Sequence, residues 1–229
     1  MLRKLCQLVL GFTLPVVVIL PLHADEVKHS AYEVIESTTV EVMAVVSAAD
    51  GYIDEDPERY YRELQVVLDE LVDYAGFSRA VMGPYASKQR YDTLKPEGKA
   101  KLRQQVEAFT AVMRVGLVRT YGKGLMAFGG SGTEVQRPQT EAEVGRSVAI
   151  TQLIYGDAPD PYVIQYQMRR SKSGDWKLRN LIVETINLGV IYRNQFLAAA
   201  KDYEGDLDRV IANWSAPVET GDIVQNARL

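Results

Sequence analysis

Few side chains in this sequence could do covalent or acid–base chemistry. It holds two histidines, His23 and His29, and one cysteine, Cys6. A Ser-His-Asp triad needs a histidine between a nucleophile and a carboxylate, and a zinc site needs three or four ligands. His23 and Cys6 lie in a segment read below as removable, so either site would rest on His29 alone. In its polar context near a helix start, His29 reads as a solvated residue. Gly129-Gly130-Ser131-Gly132 invites comparison with a nucleophile elbow, but Thr133 stands where that turn needs its second glycine. It is no phosphate loop either, because no Lys-Ser/Thr pair follows; it reads as a flexible connection. Asp50, Asp54, Glu55, Asp56 and Glu58 are bunched, whereas a calcium loop alternates its acids around a central glycine. They read as a solvated loop, with Asp56 as a helix cap. Glu184 is the one carboxylate in an otherwise apolar strand, and a buried carboxylate can be tuned for proton transfer. Alternation puts it on the face opposite Val183, pointing outward. No catalytic residue, no metal site and no cofactor are expected.

The elements around these residues fall into two halves. In the first, Val34, Ile35, Thr38, Val42, Val45 and Val46 recur at helical spacing and predict a helix over 26–49. Asp56-Pro57 opens a second, with Tyr60, Leu64, Val67, Leu68 and Leu71 on one stripe. Residues 73–82 predict a short helix closed by Gly83-Pro84. Lys95-Pro96 opens a long one, striped by Leu102, Val106, Phe109, Met113, Leu117 and Tyr121, and the glycines from 122 to 133 are expected to break it. The second half changes period. Strands are predicted over 144–155, 162–170 and 176–188, with a hairpin turn at 171–175. A last helix is expected at about 189–214, with a loose tail over 215–229. Helices first, an antiparallel meander second and a C-terminal helix last make an α+β plan, with helices packed on one face of a curved sheet.

Apolar surface is what this sequence has in abundance. The helices offer Phe77, Val81, Met82, Phe109, Met113 and Leu117; the strands offer Ile150, Tyr162, Ile164, Tyr166, Met168, Ile182 and Ile186. Tyr85 and Tyr192 join Tyr162 and Tyr166 as residues with a greasy body and a polar tip, suited to the wall or mouth of a pocket. Two facing apolar surfaces make either a filled core or a cavity for a greasy ligand, and periodicity does not separate the two. If there is a cavity, it is expected between the sheet and the helices of residues 57–121.

The N-terminus bounds the setting. Arg3 and Lys4 precede an apolar run, Leu5 to Leu20, broken by Gly11 and Pro15 and followed by Ala24 before Asp25-Glu26. That order of charge, apolar core and small residue reads as a cleavable signal peptide over 1–24. The run is short of the roughly 20 apolar residues of a membrane span, although an uncleaved anchor is the rival reading. Cleavage would remove the only cysteine, leaving no disulfide and no thiolate. One domain over 25–214 is expected. The chain carries 26 basic against 30 acidic residues, and losing Arg3 and Lys4 tilts it further toward acid. With no basic run it is a poor partner for nucleic acid.

Four strings carry a resemblance. Val72-Asp73-Tyr74-Ala75-Gly76-Phe77-Ser78-Arg79-Ala80-Val81-Met82-Gly83-Pro84-Tyr85 resembles the segment V-D-F…A-R-x-V-L-G-x-Y of the MlaC family. Trp176-Lys177-Leu178-Arg179-Asn180-Leu181-Ile182-Val183-Glu184 is similar to its W-K-V-Y-D-V-x-I-E strand. Asn187-Leu188-Gly189-Val190-Ile191-Tyr192-Arg193-Asn194-Gln195-Phe196 and Gly205-Asp206-Leu207-Asp208-Arg209-Val210-Ile211 resemble the entry to its last helix and its tail. Asn180 and Asn187 depart from the family's usual Asp and Ser, and Ala86 follows Tyr85 where an aromatic is common. The resemblance implies a sheet cone of the NTF2-like type with an apolar ligand cavity. It implies a periplasmic protein whose cargo is a glycerophospholipid, with no reaction catalysed. The partners implied are an outer-membrane lipoprotein–porin complex and the substrate-binding component of an inner-membrane ABC transporter, and the outcome is outer-membrane lipid asymmetry. The alternatives are a sheet-cone enzyme using Glu184 on a small apolar substrate and an adaptor that binds only proteins.

Overall fold

Short polar side chains decide where the helices begin. The computed structural model describes residues 29–128, 132–138, 145–156 and 160–215, so the segment read as a signal peptide, the start of the helix predicted from residue 26 and the tail from 216 lie outside it. Ser30 caps α1 (Ala31–Ala49) in a capping box. Its hydroxyl accepts from the Glu33 N–H, and the Glu33 carboxylate accepts from the Ser30 N–H at 2.8 Å. Asp56 caps α2 (Pro57–Leu71), whose proline occupies the first turn where no N–H is needed. Asp73 caps α3 (Tyr74–Met82), which Gly83 ends at φ 55°. A 3₁₀ turn (Gly83–Ala86) and α4 (Lys88–Thr93) follow; the sequence reading left both unassigned.

The long helix α5 (Pro96–Phe128) does not break at Gly122. A Cβ there would sit 3.1 Å from both Leu64 and Tyr61, so the glycine lets α2 approach closely. The Tyr60 hydroxyl donates to the Gly122 carbonyl at 2.9 Å and fixes that approach. Here glycine serves packing between helices, not chain reversal.

The sheet is an antiparallel meander in the order β1 (Thr133–Gln136), β2 (Ser147–Ile154), β3 (Tyr162–Arg170), β4 (Trp176–Val183) and β5 (Ile186–Asn187). The fold is α+β, as the periods predict. Three predicted boundaries are corrected. β1 begins at Thr133, at the end of a stretch expected to be only a glycine-rich link. The strand expected over 176–188 turns at Glu184, which lies at φ 56°. The Glu184 carboxylate accepts from the Val163 N–H at 2.7 Å, and its own N–H donates to the Val163 carbonyl, so that side chain pins a turn to β3. The helix expected over 189–214 divides into α6 (Leu188–Asp202) and α7 (Leu207–Ala212), because Glu204 and Gly205 both take positive φ and Asp206 caps a new start.

β4 also carries a bulge. Gln167 faces Asn180 and Met168 faces Leu178, which leaves Arg179 as the extra residue. The α2–α3 corner is stitched to this point: the Asp73 N–H donates to the Leu178 carbonyl at 3.0 Å, and the Asp73 carboxylate pairs with the Arg179 guanidinium.

Among the described residues, the buried apolar side chains form three clusters. The largest joins α3, α5, α6 and α7 around Phe77, Phe109, Met113, Tyr192 and Phe196. A second ties the start of α1 and the end of α2 to the sheet through Ile35, Leu71, Ile150, Met168 and Trp176. The third joins the far end of α1 to α2 and α5 through Val46, Tyr60, Leu64 and Val118. No helix of the described residues is long and apolar enough to cross a membrane.

Candidate ligand cavity

The three clusters do not merge, and a cavity of about 250 Å³ lies between them. That is far above the roughly 10–15 Å³ that admits one water molecule. Helical spacing supplies one wall: Ile35, Thr38, Thr39, Val42 and Met43 fall on one stripe of α1. Leu68, Leu71 and Val72 close it from α2 and the following corner, Tyr74 and Phe77 from α3, and Leu117, Tyr121 and Leu125 from α5. The opposite wall is the sheet. Gln152 and Ile154 on β2, and Tyr162, Ile164 and Tyr166 on β3, point inward at alternate positions. On β4 the bulge disturbs the alternation, so Leu178, Arg179, Asn180 and Leu181 all reach the wall, with Val183 beyond them.

The few polar groups at the wall are tied to each other. The Tyr166 hydroxyl donates to Gln152 Oε1 at 2.5 Å, Gln152 Nε2 donates to Thr39 Oγ1 at 3.2 Å, and Thr39 donates to the Ile35 carbonyl at 2.7 Å. The Tyr121 and Tyr192 hydroxyls meet at 3.3 Å. Asn180 donates to Gln167 Oε1 and Asn187 Oδ1, both at 2.9 Å, and its own Oδ1 accepts from the Gly189 N–H at 2.9 Å. Two of the positions that depart from the family's usual residues, Asn180 and Asn187, are therefore bonded to each other. Arg179 is neutralised by Asp73, and Gly76 makes room for that pair, since a Cβ there would overlap the guanidinium.

Burial pushes the Tyr121, Tyr166 and Tyr192 phenols up from their usual value, and raises Tyr74 to about 12. These phenols stay neutral at neutral pH, and the one charged side chain at the wall, Arg179, is paired with Asp73. The stability these neutral phenols contribute is fully present below the unfolded value of 10.0, and is lost as pH rises toward the folded values. Ultraviolet titration should show Tyr74, Tyr121, Tyr166 and Tyr192 ionising only on alkaline unfolding. Ionisation of every tyrosine near pH 10 in protein that stays folded would contradict this burial.

Of the residues predicted to line a pocket, Phe77, Leu117, Tyr162, Ile164 and Tyr166 stand on this wall. The others are corrected. Val81, Met82, Phe109, Met113 and Tyr192 are packed into the helical core, and Ile186 lies against it. Tyr85 packs edge-on to Phe196, with ring centroids 6.1 Å apart. Ile150 and Met168 are sealed into the cluster around Trp176. Ile182, between the wall residues Leu181 and Val183, falls on the other face of β4. Conversely, the expected helical wall of residues 57–121 omitted α1. The signal for α1 was present in its stripe, where Thr38 and Thr39 interrupt an otherwise apolar face. Glu184 is absent from the wall, and its carboxylate is held by a backbone N–H, so it offers no buried acid to a ligand. Among the described residues, no group of three or more His, Cys, Asp or Glu could hold a metal ion.

Comparison with known proteins follows the same outline. The chain is 28% identical to the toluene tolerance protein ttg2D of Pseudomonas putida over 187 residues, 82% of this chain and 80% of that protein. Its fold is similar to that of a phospholipid-binding protein from Ralstonia solanacearum solved with a phospholipid. The TM-score is 0.60 at 16% identity, over 80% of this chain and 98% of that one. The model of the MlaC protein family matches residues 36–216. That match takes in the Asp56 and Asp73 caps, the bulged strand and nearly all of the cavity wall, and the chain belongs to the MlaC family.

Proposed function

We propose that this protein binds a glycerophospholipid, its acyl chains in the cavity between α1, α2, α5 and the sheet, and carries it through the periplasm. The observation that carries this reading is the cavity: about 250 Å³, walled mainly by apolar side chains and without net charge. Each buried CH₂ is worth about 0.8 kcal/mol, so a sixteen-carbon tail resists entering water by roughly 10 kcal/mol. An apolar cavity returns most of that cost and makes transfer between membrane and protein reversible. The volume is below the roughly 300–1,000 Å³ of typical ligand pockets, so the walls part on loading. Three separately packed clusters allow this without opening any one of them. Support comes also from the solved phospholipid complex of the structural neighbour and from the signal-like N-terminus.

The route proposed runs between an outer-membrane lipoprotein–porin complex and an inner-membrane ABC transporter, with no bond made or broken on the way. A wall of neutral phenols, a glutamine amide and apolar side chains suits holding, not reacting. Native mass spectrometry of the protein purified from its producing cells tests the carrier reading. A mass increment equal to a phospholipid, exchangeable with vesicles, is the expected result. Recovery of apo-protein alone, with no uptake from vesicles, would overturn it.

A further inference from the structure

Gln152 is 3% exposed, and with Ser78 it is one of the two buried polar residues among the described ones. Unlike Ser78, it stands on the cavity wall, toward the end of β2 and bonded to Thr39 in the middle of the α1 stripe. Its orientation is dictated by its neighbours. Thr39 spends its hydroxyl proton on the Ile35 carbonyl, so Thr39 Oγ1 can only accept, and the glutamine must turn its Nε2 toward it. The Tyr166 proton is in turn spent on Gln152 Oε1. An amide nitrogen has two N–H bonds. One goes to Thr39, and the other has no acceptor among the described residues. Every other proton in this chain of bonds is committed, so the string ends in a single free donor beside the cavity.

A donor without an acceptor in an apolar cavity carries its full desolvation penalty. A hydrocarbon tail lying over Gln152 would leave that penalty in place, whereas a carbonyl oxygen would remove it. Resting on the carrier reading above, we propose that Gln152 Nε2 donates to an acyl-ester carbonyl of the bound lipid, and that this bond makes the protein prefer ester-linked over ether-linked phospholipids. Thr39 and Tyr166 act as positioning residues: they fix which end of the amide faces the ester.

The test is a competition. Delipidated protein, purified after expression of the full chain, is incubated with vesicles holding equal amounts of dihexadecanoyl and dihexadecyl-ether phosphatidylglycerol, and the bound lipid is weighed by mass spectrometry. One hydrogen bond to a neutral carbonyl predicts about a three- to tenfold preference for the diester. Gln152→Met, close in shape but without a donor, should bring the ratio to about one in whatever lipid it still takes up. Wild-type protein that loads both lipids equally overturns the inference and leaves the carrier reading intact. A preference that survives in Gln152→Met overturns the assignment to this residue. If that variant does not fold, the wild-type ratio decides alone. Failure of wild-type protein to take up either lipid overturns the carrier reading and this inference together.

Discussion

Ile164→Trp should abolish lipid recovery while leaving the protein folded. Ile164 stands on the cavity wall near the start of β3, paired with Gln152 on one side and Val183 on the other. It belongs to none of the three packed clusters, so replacing it removes nothing from a core. An indole adds bulk directly to a space of about 250 Å³. Filling a void with apolar atoms commonly stabilises by roughly 0.5–2 kcal/mol, and at about 2–4 °C per kcal/mol in a chain of this size the melting temperature should hold or rise by a few degrees. Lipid bound per protein should fall at least about tenfold, the equivalent of about 1.4 kcal/mol. Ile154→Trp, on the neighbouring strand and also outside the clusters, should behave alike. If both variants fold and still carry wild-type amounts of lipid, the cargo does not sit in this cavity.

The second large effect lies in stability. Gly76→Ala puts a methyl group into the Arg179 guanidinium and the Asp73 carboxylate. Asp73 caps α3 through the Gly76 N–H at 2.7 Å, pairs with Arg179 and bonds through its own N–H to Leu178, so one methyl disturbs a cap, an ion pair and the α2–α3 corner at once. Both charged partners are about one-third exposed, which screens the pair and leaves overpacking as the main cost. Overpacking costs roughly 1–3 kcal/mol, and the melting temperature should drop by about 3–10 °C. Gly51→Ala is the contrast, since its Cβ would meet only the Ala48 carbonyl at an ordinary 3.6 Å. Arg179→Met should recover part of the loss in the Gly76→Ala background, because it removes the group being struck; equal losses in both backgrounds would sink this account.

These two sites differ in how far they could be read from sequence. Caps are local chemistry. Asp56 and the 171–175 turn announce themselves within a few residues, and the structure has both. Gly122 did not, because whether a glycine breaks a helix or admits a neighbour depends on Leu64 and Tyr61, far away in sequence. The cavity wall is less legible still. Phe109 and Ile164 carry the same periodic signal, yet one is locked against Phe196 and Trp214 and the other faces open space. Which of them lines a void depends on how far apart two backbones lie, and periodicity does not record that distance. The bulge at Arg179 hid four consecutive wall positions by spoiling the alternation on which strand faces are read. Gln152 did leave a trace. It lies between Ile150 and Ile154 at an inward position, a polar side chain where the pattern asks for an apolar one.

Division of the interior into three cores separates the residues that hold the protein together from several that only line the cavity. Thr38, Met43, Ile154 and Ile164 belong to the second group alone. Selection can vary such positions at little cost to folding, so under the carrier reading the lipids accepted can change by drift along a nearly neutral path.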